Sequence, residues 1–177
     1  MADKIELEVE RLKALTGGLL AFSSAREGHR RLVVLNDLVD EVLRLVRYEL
    51  QRQGVQLETE FAELPLIPAE TGKLKQVVIN LVMNAAQAIA GEGTVTLRTL
   101  RLGEGAIELS VSDTGPGIAE ELHKSIFDPF FTTKPDGEGT GLGLYLCRNI
   151  VMEHDGEILL ESSPGKGAIF RVQLPVS

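Results

Sequence analysis

The feature that most constrains the fold of this chain is an alternation of apolar and polar residues in three separate segments. Their apolar positions are Val95 and Leu97, then Ile107, Leu109 and Val111, and last Ala168, Phe170, Val172, Leu174 and Val176. A period of two residues indicates strands that bury one face and expose the other. Because only the three residues 103–105 separate the first two segments, we expect a hairpin and a largely antiparallel sheet.

Amphipathic helices accompany these strands, because apolar residues also recur at steps of three and four. The predicted elements are helices over 36–53, 74–89 and 142–154 and further strands over 55–61 and 156–162. Asn36 is the predicted N-cap of the first helix, and two prolines in 64–70 predict an irregular segment there. The order predicts an α+β fold, a two-layer sandwich in which helices cover one face of a mixed, largely antiparallel sheet.

The N-terminal 24 residues are predicted to form an extra helix. Its apolar stripe consists of Ile5, Val9, Leu12, Leu15, Leu19 and Phe22. Charged residues fill the other positions, which favours packing against a partner over the alternative, a helix that lies on its own domain. We expect a linker over 25–31 and a single domain over 32–177.

Composition narrows the range of functions. Acidic residues outnumber basic ones by 26 to 18, the net charge is −8, and no basic cluster is present, so we expect no nucleic-acid partner. The single cysteine, Cys147, fits a reducing compartment. No apolar run approaches the roughly eighteen residues of a membrane helix, and no signal peptide is evident. These features predict a soluble, cytoplasmic chain, or the soluble portion of a larger protein.

Four carboxamides form a stripe along the predicted helix over 74–89, at spacings of three and four: Gln76, Asn80, Asn84 and Gln87. Asparagine is a poor residue for a helix interior. One interpretation is an ordinary solvated face, although such faces normally carry Lys and Glu. The other is a metal and nucleotide site, since neutral amide oxygens can hold Mg²⁺ while a polyphosphate supplies the charge.

Two glycine-rich stretches add a second indication of a nucleotide. Asp113 ends a predicted strand before Gly115 and Gly117, either as a plain turn or as an acceptor for the amino group of adenine. Glycines at 137, 139, 141 and 143 precede a helix, where backbone N–H groups favour an anion. Neither a Walker motif nor a strand directly before the glycines is present, which excludes P-loop and Rossmann sites.

Between these stretches, "IFDPFFTTK" (126–134) holds three of the six phenylalanines, Phe127, Phe130 and Phe131. The aromatic side chains either pin a loop to the core or belong to a lid that moves when a nucleotide binds, with Lys134 reaching a phosphate. The sequence favours neither alternative.

The ordered motifs "NLVMNA" (80–85), "DTGPGI" (113–118), "IFDPFFTTK" and "GTGLGL" (139–144) closely resemble the N, first glycine, F and second glycine boxes of the sensor histidine kinase catalytic domain, a Bergerat fold. The same superfamily contains the ATPase parts of DNA gyrase and mismatch-repair proteins, and similar sequences occur in nitrogen-regulation sensors. The resemblance implies a protein-histidine kinase that uses ATP and Mg²⁺. It also implies that residues 1–24 are the end of a dimerisation and phosphotransfer helix.

The resemblance implies roles for individual residues. Asn84 and Asn80 are the implied Mg²⁺ ligands and act in catalysis together with Lys134, while Asp113 reads the adenine amino group. The implied ATP-binding residues are Asn84, Gln87, Asp113, Gly115, Gly117, Ile118, Phe127, Thr133, Lys134, Gly139, Thr140, Gly141, Leu142 and Gly143.

Three departures from the family pattern qualify this assignment. Gln87 stands where many members have lysine, which shifts phosphate binding towards Lys134, Lys75 or the glycine backbone. Ala168 replaces a frequent Ser or Thr near the base, which weakens the expected affinity. No H box surrounds any of the three histidines, at 29, 123 and 154. The implied phosphoacceptor therefore lies on a hairpin of the same full-length protein.

Position 80 separates the branches of the superfamily. The gyrase-like members carry a glutamate there that activates the attacking group, whereas Asn80 cannot take a proton. We therefore expect slow hydrolysis, transfer to histidine, and positioning plus charge neutralisation as the source of catalysis. The resemblance implies a response regulator as a partner and a homodimer as the state of the full-length protein. It also implies that this chain is the cytoplasmic portion of a sensor, which the membrane can anchor. A regulatory nucleotide-binding module and an autonomous ATPase are the alternatives.

Overall fold

A computed structural model describes residues 29–89, 91–134 and 139–177. The helices of this part of the chain are α1 (Leu35–Arg52), α2 (Thr71–Ile89) and α3 (Gly143–Glu153). The strands are β1 (Arg31–Val33), β2 (Val55–Phe61), β3 (Ile67–Ala69), β4 (Gly93–Leu102), β5 (Ala106–Asp113), β6 (Glu157–Ser162) and β7 (Ala168–Pro175). Two 3-10 turns, Glu120–Leu122 and Ser125–Phe127, lie between β5 and α3.

Five strands form the main sheet in the order β2-β4-β5-β7-β6. β2 runs parallel to β4, and the other three neighbouring pairs are antiparallel. The register places Leu97 opposite Val111 and Val111 opposite Phe170, so the alternating apolar residues share one face. The predicted α+β fold with a mixed, largely antiparallel sheet is confirmed.

The core lies between this face of the sheet and the helices. Leu81 on α2 and Leu97 on β4 are fully buried, and Leu109 on β5 is nearly so. Replacing one such leucine with alanine typically costs about 2–5 kcal/mol, because a cavity remains. The other face of the sheet carries ion pairs, among them Arg98 with Glu60. The predicted two-layer arrangement follows from this division.

The prediction that Asn36 caps the first helix is wrong. α1 begins at Leu35, with Val34 at the N-cap position and no side-chain cap. Inside the helix, Asn36 donates a hydrogen bond to the carbonyl of Ala62 (2.8 Å) and accepts one from the hydroxyl of Thr99 (2.9 Å). The amide therefore has tertiary partners that no local sequence pattern reveals, and it ties the start of α1 to the sheet.

The prediction of an irregular segment over 64–70 is wrong in part. Ile67–Ala69 forms β3, which pairs antiparallel with β1, a strand that was not predicted. Pro68 lies opposite Leu32 in this two-stranded ribbon. Proline has no N–H to donate, and a short strand at the edge of a fold accommodates that loss better than a central strand does.

The predicted N-terminal helix (1–24) and most of the linker (25–31) lie outside the described residues, so the domain limits stay predictions. Arg30, which follows the first described residue, donates to the carboxylate of Asp155 (2.7 Å) and to the carbonyl of Glu153 at the end of α3. Among the described helices, none combines the length and apolarity that crossing a bilayer requires.

Candidate functional site

A cavity of about 920 Å³ opens between α2, the segment after β5 and the start of α3. Most of the residues that the sequence assigned to a nucleotide site line it. They are Asn80, Asn84, Gln87, Asp113, Gly117, Ile118, Thr133, Lys134, Gly139, Thr140, Gly141 and Gly143. Residues as distant in the chain as Asn80 and Gly143 thus meet in one cavity.

Three predicted site residues do not line the cavity. Phe127 is buried behind it and packs edge to face on Phe170, with ring centroids 6.3 Å apart. Gly115 contributes its N–H, which donates to the Asp113 carboxylate at 2.8 Å. The N–H of Leu142 donates to the Thr140 hydroxyl at 3.4 Å. Each of them supports a neighbour that does reach the cavity.

Much of the apolar wall of the cavity was not predicted. It includes Met83, Ala88, Pro116, Ala119, Leu122, Ile126, Leu144 and Phe170. Phe131 and Ala168 also line this wall, and the sequence had already indicated them as a possible lid residue and as a residue near the base. Phe170 belongs to the alternation of β7, and such a residue has the same sequence pattern as an ordinary core residue. The neighbours of the carboxamides on α2, Met83 and Ala88, gave a usable signal, because the helix turns them towards the same side.

Asp113 lies at the end of β5 and is half-buried. Burial is the main influence on its carboxyl group and raises the pKa above the ordinary value, while backbone hydrogen bonds from Gly115 and Ala168 act in the opposite direction. The Gly115 N–H donates to the carboxylate at 2.8 Å and holds its orientation, and Ala168 belongs to a different segment of the chain. A rigidly held acceptor is what the recognition of a base edge requires.

The amides of α2 lie beside the N-terminus of α3. Asn80 donates a hydrogen bond to the carbonyl of Gly143 at 3.4 Å. A Cβ built on Gly143 would lie 3.9 Å from the side-chain amides of both Asn80 and Asn84. The carboxamide stripe and the second glycine stretch therefore meet, as the metal and nucleotide interpretation requires.

Lys134 and Gln87 are in contact at the other side of this region. The Lys134 ammonium donates a hydrogen bond to the Gln87 side-chain oxygen. Lys75, the other lysine that the sequence suggested for phosphate binding, lies outside the cavity and forms an ion pair with Glu41 of α1. Within the described residues, Lys134 is thus the cation that lines the cavity.

The glycine at position 141 is required by its surroundings. Its φ is +65°, and a Cβ there would collide with the backbone of Phe130. Phe130 itself has φ of +66° and a side chain that is 73% exposed. Phe127 and Phe131 pack against the core instead. Two of the three aromatic side chains pin this segment, and the movement of a lid stays a prediction.

The described histidines inside the domain are engaged in structural hydrogen bonds. His154 is 2% exposed; its Nδ1 donates to the Ile150 carbonyl (2.7 Å) and its Nε2 accepts the N–H of Glu70 (3.0 Å). His123 donates from Nε2 to the Ile118 carbonyl at 3.1 Å. Burial raises the pKa of the Cys147 thiol to about 12, so it stays protonated at neutral pH. These side chains are unsuited to act as nucleophiles.

Comparison with known proteins places this geometry in a family. The family model described as histidine kinase-, DNA gyrase B-, and HSP90-like ATPase matches residues 69–177, more than half of the chain. The chain belongs to that family. Its resemblance to the catalytic domain of sensor histidine kinases is confirmed, and ATP binding is the property that this family of ATPases shares.

Sensor kinases are prominent among the relatives. The histidine-protein kinase AtoS of Escherichia coli K12 is 41% identical over 175 residues, which are 96% of this chain and 28% of AtoS. The nucleotide-free catalytic domain of histidine kinase ThkA is similar, with a TM-score of 0.74 and 35% identity over 82% of this chain and 97% of that one. The chain spans 28–38% of the length of the first curated relatives.

Two structures that contain more than a catalytic domain are similar over a larger share of this chain. Full-length ShkA in complex with AMPPNP has a TM-score of 0.82 and 28% identity, covering 94% of this ATPase-family chain and 36% of ShkA. ThkA in complex with the response regulator TrrA has a TM-score of 0.81 and 31% identity, covering 99% of this chain and 50% of that one.

Proposed function

We propose that this chain is the ATP-binding catalytic domain of a two-component sensor histidine kinase. In this proposal it transfers the γ-phosphoryl group of ATP to a histidine on a dimerisation hairpin of the same full-length protein. The observation that carries the proposal is a single cavity with Asp113 in one wall and the Asn84 and Gly139–Gly143 elements in another. Each kind of group in ATP therefore has a suitable partner.

Asp113 is the proposed adenine-reading residue. Its carboxylate accepts hydrogen bonds only, so it suits the exocyclic amino group of adenine and disfavours the carbonyl oxygen that guanine carries at that position. The half-buried setting strengthens this discrimination, because an unpaired acceptor facing an acceptor costs most away from water. Ile118, Ala168 and the other apolar wall residues provide a surface for the ring.

Asn84, Asn80, Lys134 and the glycine stretch are proposed to hold the phosphates and Mg²⁺. No cluster of three or more His, Cys, Asp or Glu that could hold a metal is found in the described parts of the chain. The amide oxygens on α2 are hard, neutral ligands that suit Mg²⁺ when the phosphates bring the charge. The N-terminus of α3 favours the anion, and bound Mg²⁺ would supply neutralisation of the phosphoryl charge.

The cavity supports transfer to an external nucleophile better than hydrolysis. Among the described residues that line the cavity, Asp113 is the one with an acidic side chain, and its proposed role is to bind the adenine base. No other carboxylate in this set can therefore activate a water molecule. Asn80 cannot accept a proton from water. The attacking atom would thus be an imidazole nitrogen of the partner hairpin, which bonds to the γ-phosphorus as ADP leaves, and this domain would contribute positioning and charge neutralisation.

The relatives support one further proposed partner. ThkA is known in complex with a response regulator, and we propose a response regulator as the downstream partner here. We further propose that residues 1–24 belong to the phosphotransfer hairpin, that the full-length protein is a homodimer, and that this domain works in the cytoplasm. Nucleic acid is not among the proposed partners, because the chain carries a net charge of −8.

Calorimetric titration with ATP, with and without Mg²⁺, tests the nucleotide assignment. We expect ATP to bind and Asp113→Asn to weaken binding about tenfold to a hundredfold, since hydrogen bonds to charged groups contribute about 1.5–3 kcal/mol. Asp40→Asn is the matched control, because Asp40 is exposed on α1. A folded parent that fails to bind ATP would overturn the proposal in favour of a module that has lost its nucleotide.

A further inference from the structure

The turn between β6 and β7 packs against the segment that follows Asp113. The N–H of Ile118 donates to the Ser162 hydroxyl oxygen at 2.8 Å. That hydroxyl in turn donates to the carbonyl of Gly167 at 2.7 Å. One side chain therefore joins two segments that are 44 residues apart in the chain.

Close backbone contacts reinforce this junction. The N–H of Gly165 donates to the Pro116 carbonyl at 2.7 Å. A Cβ on Gly117 would collide with the carbonyl of Ser163, and one on Gly167 would collide with the carbonyl of Asp113. The absence of side chains at the two glycines brings the segments together, and Ser162 provides a side-chain hydrogen bond in each direction.

The junction bears directly on the Asp113 carboxylate. That group accepts a hydrogen bond from the N–H of Gly115 on one segment. On the other segment, Gly167 lies so close that a Cβ there would collide with the carbonyl of Asp113. Its position relative to the cavity thus depends on how the two segments sit against each other. Ser162 does not line the cavity, so any effect on a bound base must pass through its neighbours.

We propose that Ser162 is a positioning residue for base recognition, which holds Ile118 and the Gly167–Ala168 turn so that Asp113 can discriminate adenine from guanine. This inference rests on the proposed ATP-binding function and deepens it. Without the hydroxyl, the Ile118 N–H and the Gly167 carbonyl lose their shared partner, and the two segments can separate. The wall around Asp113 then discriminates less between adenine and guanine, while the residues at the phosphate end of the cavity keep their positions.

The test compares the affinities for ATP and GTP by calorimetry in Ser162→Ala and the parent. We expect Ser162→Ala to bind ATP about tenfold more weakly, the effect of one lost hydrogen-bonded link. We also expect the ratio of ATP to GTP affinity to fall, because guanine is rejected less strongly. Ser162→Thr retains the hydroxyl and should restore both values.

Ser163→Ala is the matched control, since the carbonyl of Ser163, which the substitution retains, lies beneath Gly117. Ser162→Cys provides a second test, because it keeps the side-chain volume with a weaker hydrogen-bonding group. All titrations are made below the thermal transition of each variant. Loss of folding in both Ser162→Ala and Ser162→Cys would overturn the inference, because the hydroxyl would then hold the fold rather than the base wall.

The outcomes separate this inference from the function on which it rests. If the folded parent does not bind ATP, the proposed function fails. If the parent binds ATP and Ser162→Ala keeps the same ratio of ATP to GTP affinity, the function stands and the role of Ser162 is wrong. A lowered ratio that threonine restores supports both.

Discussion

The two ends of the cavity are built in different ways. Around Asp113, backbone groups from two segments approach so closely that Gly117 and Gly167 have no space for a side chain. Around Asn84, the structure relies on side chains, such as the Lys134 ammonium on Gln87 and the Asn80 amide on Gly143. The proposed base end is therefore held by backbone contacts between the two segments. At the proposed phosphate end, one close backbone approach at Gly141 is combined with side-chain hydrogen bonds, which can adjust by rotation.

The largest expected effect comes from disturbing the base end with one methyl group. Gly167→Ala combines a φ of +71° with a collision against the Asp113 carbonyl, so we expect a loss of about 3–5 kcal/mol in unfolding free energy. Gly165→Ala has a similar φ of +79° but open space, and should cost about 1–2 kcal/mol. Urea denaturation measures both. Equal losses would show that close backbone approach does not fix this end.

A smaller effect is expected at the phosphate end. Asn84→Ala should leave the fold intact and remove the Mg²⁺-dependent part of ATP binding, at about tenfold in affinity, because a hard oxygen ligand is lost. Gln76→Ala is the control, since Gln76 belongs to the same carboxamide stripe and lies outside the cavity. Calorimetry with and without Mg²⁺ distinguishes the two variants. An unchanged Mg²⁺ effect in Asn84→Ala would remove Asn84 from the metal site.

The smallest expected effect is a dependence on pH at the base end. Burial raises the pKa of Asp113, so its carboxylate takes up a proton at a higher pH than an ordinary aspartate does. Because this pKa is higher in the folded than in the unfolded state, the ionised group destabilises the fold, and acidification relieves that cost. ATP affinity should fall over the same range, because the protonated group is a poorer acceptor for the adenine amino group.

Comparison with Asp113→Asn isolates this titration from that of ATP itself. The ratio of the parent's ATP affinity to that of the variant should decline by a few-fold as the pH falls through the raised pKa of Asp113. Calorimetry on both proteins across an acidic pH series supplies the ratio. A constant ratio would show that the charge of Asp113 takes no part in binding.

The difference between local patterns and contacts across the chain explains which features the sequence could predict. The alternation of β7 and the spacing on α2 are local patterns, and both elements form as predicted, with Asn80, Asn84 and Gln87 beside the cavity. Contacts between distant segments leave no local pattern. Ser162 with Ile118, and Asn36 with Thr99, are such contacts, which is why the first was missed and the second was mistaken for a helix cap.

Pro68 shows a related limit. Proline correctly indicates a lost N–H donor, but the sequence does not reveal whether the neighbouring strand needs one at that position. Here the partner strand β1 is only three residues long, and β3 pairs with it around the proline. The site residues were predicted mainly from the resemblance of four motifs to a known family. Most of the apolar wall could not be predicted in this way, because its residues have the pattern of ordinary core residues.

Transfer of labelled phosphate from ATP tests the central claim most directly. This chain alone should neither hydrolyse ATP at an appreciable steady rate nor label itself, because Asn80 cannot act as a base and both histidines described inside the domain are engaged elsewhere. Adding the histidine hairpin of its full-length protein should produce acid-labile phosphohistidine on the hairpin. Steady hydrolysis by the chain alone, without labelling of the hairpin, would contradict the account and indicate an autonomous ATPase.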